Sequence, residues 1–111
     1  MRDSQLKLLR QRDLWCWHCG ATDDLVPHHR ANRGMGGHKS SDNLANVILI
    51  CSLYNGLMES DSKVAEEARI NGHKLSKFLS PNQPCFDNWD GNWYFLDEKG
   101  NKAVTDPPKV I

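Results

Sequence analysis

Apolar residues near the N-terminus fall three apart, Leu6 and Leu9, with basic residues between and around them. That spacing predicts a short helix over Asp3 to Arg12. Trp15-Cys16-Trp17-His18-Cys19-Gly20 then reads as a tight turn that needs its glycine. Asp24 to His29 is strand-like, with Pro27 marking an edge or bulge position. Arg30 to Asp42 carries Gly34, Gly36 and Gly37 among polar residues and reads as a loop. Asn46 to Ile50 is rich in β-branched residues and predicts a second strand. From Ser52, a candidate N-cap, to Asn71-Gly72 the period turns helical, with Leu53, Leu57, Val64 and Ala68 on one stripe and Gly72 as the stop. Pro81 and Pro84 break the chain. Asp90-Gly91 and Lys99-Gly100 then punctuate aromatic and β-branched segments, which predicts a small β-meander over Trp89 to Thr105. The expected class is α+β: strand, glycine loop, strand and helix at the centre, with a helix before and hairpins after.

Composition sets the scale. A chain of 111 residues with 39% apolar and 25% charged content is ordinary for one soluble domain. We expect a single domain over residues 1–111, its core about 14–72 and a β-rich extension about 73–111. The apolar run Val47 to Cys51 is far too short to span a bilayer, and no apolar signal core follows Met1. No membrane association and a cytoplasmic location are the expectation. Formal net charge is zero, yet residues 1–40 carry seven Lys/Arg against four Asp/Glu and the rest seven against ten. That bias is compatible with phosphate contacts, but charge alone favours an ordinary solvated surface.

Four cysteines could form two disulfides, but without a secretory signal a Cys16-x-x-Cys19 pair reads better as half of a tetrahedral zinc site. Cys51 lies where the other half belongs. The position three residues on is Tyr54, and a phenol with pKa about 10 is a poor zinc ligand. Either Cys85 or one of His18, His38 and His73 completes the site, or the cysteines act as small buried hydrophobes. The adjacent pair His28-His29 ends the first strand, where neighbours point to opposite faces. One imidazole suits metal ligation and the other a general base.

The order C-x-x-C-G, His-His, Gly-rich loop and Asn46-x-x-x-x-Cys51 leading into a helix resembles the HNH endonucleases of the ββα-metal fold. Pro27-His28-His29-Arg30 followed by Arg33-Gly34-Met35-Gly36-Gly37 is similar to phage-encoded members, as is Asn55-Gly56-Leu57-Met58-Glu59-Ser60. The resemblance covers roughly residues 14 to 72. It implies His29 as the general base that activates water, and His28 and Asn55 as ligands of one catalytic divalent metal. Asn46 would buttress the loop and the orientation of His29. An amide ligand favours Mg²⁺ or Mn²⁺ at that site, with Zn²⁺ or Ni²⁺ as further candidates. Cys16, Cys19 and Cys51 would hold a structural zinc. Arg30 and Arg33 are candidate phosphate contacts, and Glu59 is expected to be solvated. Trp15, Trp17, Trp89, Trp93 and Tyr94 are assigned mostly to the core.

The implied function is hydrolysis of double-stranded DNA with little sequence specificity. Tight site selection would need a partner, and the phage resemblance points to the packaging terminase in the host cytoplasm. Two other classes compete. One is a non-catalytic DNA-binding or packaging-assembly module that keeps the fold, with Tyr54 marking a lost zinc half-site. The other is a zinc-knuckle interaction domain whose histidines are structural.

Overall fold

The computed structural model describes residues 2–31, 43–76 and 82–108. Among these the elements run α1 (Asp3–Arg12), β1 (Leu25–His29), β2 (Val47–Cys51), α2 (Ser52–Ser60), α3 (Ser62–Ile70), β3 (Cys85–Asp87), β4 (Asn92–Leu96) and β5 (Lys102–Thr105). The class is α+β, with three helices and two small antiparallel sheets, β1-β2 and β3-β4-β5. The glycine-rich segment, with Arg33 and His38, lies outside the described residues. No described helix is long and apolar enough to cross a membrane.

β2 is the spine. Its unbroken apolar run follows from burial on both faces rather than one. Val47 and Leu49 pack with Leu9 of α1 and Leu44. Ile48 and Ile50 enter the main core with Cys16, Trp17, Tyr54, Met58, Ala68, Tyr94 and Leu96.

The register explains Pro27. It stands opposite Leu49, whose N–H bonds Asp13 Oδ2 and whose carbonyl accepts from Trp17, both away from β1. Pro27 therefore occupies a non-hydrogen-bonded pair, where a missing N–H costs the ladder nothing. The outer edge of β2 is closed by the end of α1. Arg12 is buried and pairs with Asp13 at 2.7 Å while donating to the carbonyls of Leu44 and Val47 at 2.6 Å each.

The helix predicted over residues 52 to 72 is two helices. Asp61 ends α2 and caps α3, its carboxylate accepting from the amides of Lys63 and Val64. The break resets the phase, so the predicted stripe holds at Val64 and Ala68 in α3 but not at Leu53 in α2. Leu53 is 71% exposed, and Tyr54, Met58, Ala65 and Ala68 are the buried positions. The N-cap of α2 is Cys51 rather than Ser52, its sulfur accepting from Tyr54 N. Beyond Asn71, Gly72 takes φ +74, as a helix stop does.

Candidate metal centre and histidine pair

None of the four cysteines is in a disulfide. The Sγ atoms of Cys16, Cys19 and Cys51 lie within 4.8 Å of one another, a group able to hold a metal ion. Cys19 and Cys51 sulfurs are 3.7 Å apart. Zinc bonds of about 2.3 Å in a tetrahedron separate sulfurs by about 3.8 Å, so the edge length fits. Backbone amides support the sulfurs: His18 N donates to Cys16 Sγ and Tyr54 N to Cys51 Sγ. Burial pushes the Cys16 thiol up to about 11. Partial burial acts upward on Cys19 too, but the Ala21 amide and the neighbouring thiols outweigh it and draw Cys19 below the ordinary thiol value. Metal uptake at Cys16 would thus release a proton.

Among the described residues no fourth His, Cys, Asp or Glu atom joins all three sulfurs. Cys85 is buried apart from them, its thiol pushed up to about 12 by burial. His18 stacks on the Tyr54 ring, centroids 4.0 Å apart and planes 7° from parallel. His73 is wholly buried, and both its ring nitrogens are engaged. Nδ1 lies 2.7 Å from Tyr54 Oη and Nε2 lies 2.6 Å from the carbonyl of Phe86. Burial lowers its pKa to about 3, so the ring is neutral, donating from Nε2 and accepting the Tyr54 hydroxyl at Nδ1. Neither His73 nor Cys85 completes the thiol site.

His28 and His29 close β1 opposite Ile48 and Val47. Alternation sets His28 with Val26 on the main-core face and His29 with Leu25 and Pro27 on the other. His28 is half-buried, and its Nε2 lies 2.8 Å from the carbonyl of His73. Burial lowers its pKa, and a neutral ring in this contact carries its proton on Nε2 and a lone pair on Nδ1. Asn46 is wholly buried immediately before β2. Its Oδ1 accepts from Ala31 N at 2.9 Å and its Nδ2 donates to Ala31 O at 3.0 Å, while its own carbonyl takes Arg30 N at 2.7 Å. One side chain thereby fixes the backbone two residues beyond His29. Asn55 is half-buried on α2. Glu59, one turn on, is exposed, and its carboxylate acts electrostatically on the His28 ring.

Arg30 is not a phosphate contact. It is 1% exposed and donates to the carbonyls of Gly72, Ala45, Gln83 and Pro84. A guanidinium so enclosed ties the segment after α3 to the start of β2 and offers no face to a ligand. Of the aromatics assigned to the core, Trp17 and Tyr94 are buried, Trp15 and Trp93 are half-buried, and Trp89 is 65% exposed. The partnership of Tyr54 with His73 had no signal in the spacing, because it joins a helix to the turn after another helix.

No family model, curated protein or solved structure matches this chain.

Proposed function

We propose that the chain is a metal-dependent endonuclease of the ββα-metal type that hydrolyses phosphodiester bonds of double-stranded DNA with little sequence preference. In this reading β1, β2 and α2 would correspond to the two strands and helix of that fold. The reading rests first on the sequence resemblance, and one structural observation carries it further: the construction of the end of β1. Metal-binding histidines characteristically donate their second ring N–H to a carbonyl or carboxylate, and His28 does so to His73. The buried amide of Asn46 holds Ala31 from both sides, which steadies the backbone that presents His29.

In this reading His28, through Nδ1, and Asn55 hold one Mg²⁺ or Mn²⁺, an imidazole and a hard amide oxygen being suited to either. A cation held there would supply charge neutralisation for the phosphate during hydrolysis. His29, on the opposite face of the strand end, takes the proton of the attacking water. Asn46 keeps that end from shifting. The thiol cluster holds zinc and fixes the turn before β1 to the start of α2. A role beside a phage packaging terminase is the context this reading implies.

Supercoiled plasmid tests the proposal. The wild-type protein is expected to yield open-circle or linear DNA with Mg²⁺ or Mn²⁺ and none with chelator, and His29→Ala is expected to abolish conversion. Equal conversion by both proteins would remove His29 from the mechanism. DNA binding with no conversion under Mg²⁺, Mn²⁺, Ni²⁺ or Zn²⁺ would favour the non-catalytic packaging module.

A further inference from the structure

Tyr54 occupies the position where a fourth cysteine ligand is expected, yet its hydroxyl is committed elsewhere. It lies 2.7 Å from His73 Nδ1. The Phe86 carbonyl, 2.6 Å from His73 Nε2, can only accept, so that nitrogen carries the proton and Nδ1 receives the Tyr54 hydroxyl. The His73 ring is thus pinned at both ends inside the protein, and pinning the ring pins the backbone of the same residue. Its carbonyl is what His28 Nε2–H donates to, at 2.8 Å. Three residues are thus linked by hydrogen bonds from the edge of the thiol cluster to the strand end, Tyr54 to His73 through side chains and His73 to His28 through the His73 backbone carbonyl.

We infer that Tyr54 and His73 are positioning residues that fix His28 as its Nε2–H tautomer and aim Nδ1, not Nε2, at the catalytic cation. The inference rests on the assignment of His28 as a metal ligand. Its physical content is pre-organisation. A free imidazole divides between two tautomers and turns about its side-chain bonds, whereas a ring held at one nitrogen presents a lone pair in one direction. Outer partners of this kind typically change metal affinity or activity about 10–100-fold when removed. The same chain explains why a tyrosine stands at the fourth ligand position. Its backbone amide serves Cys51 Sγ and its ring stacks on His18, while its hydroxyl serves His73.

The test uses the zinc-loaded protein with ¹⁵N-labelled histidine and needs no DNA. Long-range ¹H–¹⁵N spectra are expected to show both His28 and His73 protonated at Nε2 only. Titration with Mn²⁺ is expected to broaden the His28 ring signals first. Tyr54→Phe keeps the ring that stacks on His18 and removes only the hydroxyl. It is expected to leave the zinc content unchanged, to give His28 a mixture of tautomers, and to weaken Mn²⁺ binding about 10–100-fold. A His28 or His73 protonated at Nδ1 in the wild type overturns the inference, whether or not the variant folds. So does a folded Tyr54→Phe with unaltered tautomer and Mn²⁺ affinity. A protein that binds Mn²⁺ as described but never cuts plasmid loses the nuclease reading and keeps this one. A protein that cuts plasmid with His28 protonated at Nδ1 does the reverse.

Discussion

Gly20 closes the Cys16–Cys19 turn with φ +77, and a Cβ built there would lie 2.5 Å from the Trp89 ring. Both the left-handed backbone and the contact oppose a side chain. Gly20→Ala is therefore expected to destabilise the protein by about 1–3 kcal/mol, read from the urea midpoint, and to lower metal uptake by the thiols. His73 gives a pH dependence whose sign is fixed by its depressed pKa. Between the ordinary value of 6.5 and about 3 the unfolded chain binds the proton and the folded chain does not, so stability falls as pH drops through that window. At pH 4.5 this one ring removes about 2–3 kcal/mol relative to pH 7. His73 resonances that titrate near 6.5 would contradict the buried neutral ring. At this scale the chemistry of the candidate residues was legible, but their surroundings were not. Arg30 follows two histidines and looks like a phosphate clamp, yet its carbonyl partners come from positions 45 to 84, which no local pattern connects.

The elements owe their places to a few buried polar contacts. α1 is held to β2 by Arg12 and Asp13, whose side chains serve three backbone groups of Leu44, Val47 and Leu49. Arg12→Met would strand a buried carboxylate and two buried carbonyls and is expected to cost about 3–5 kcal/mol in urea unfolding. Asp61 separates α2 from α3 and accepts from two first-turn amides of α3. Asp61→Ala is expected to cost about 1 kcal/mol and to raise amide exchange in α3 selectively. The bounds of α1 could be read from sequence because its apolar spacing is local and ends where Arg12 and Asp13 are drawn into the structure. The sequence predicts one helix after β2 because an aspartate flanked by serines gives no strong break. Within α2 the phase differs from the leucine spacing because Tyr54 and Met58 turn inward.

At the scale of the molecule, β2 joins two centres of different chemistry. The thiol cluster gathers residues from the turn before β1 and from the end of β2, while the histidine pair lies at the opposite end of the same hairpin. In the proposed function the sulfur donors at one end would take a softer metal than the imidazole and amide oxygen at the other. The basic bias of residues 1–40 shrinks in three dimensions. Arg12 and Arg30 are interior, and among the described residues Arg2, Lys7 and Arg10 stay exposed. Sequence order carried the candidate residues of both centres, because C-x-x-C and His-His are short patterns. It could not carry the tyrosine–histidine chain that links the two ends, since that depends on α3 returning the chain to β1.

The division of labour between the two histidines is the central claim, and one measurement separates them. Initial rates of supercoiled plasmid conversion are followed against Mn²⁺ concentration for zinc-loaded wild type, His28→Ala and His29→Ala. His29→Ala is expected to lower the saturating rate about 10²–10⁴-fold with the Mn²⁺ midpoint unmoved. His28→Ala is expected to move the midpoint to Mn²⁺ concentrations at least about tenfold higher. Wild-type protein with no Mn²⁺-dependent conversion, or three superimposable curves, would contradict that division.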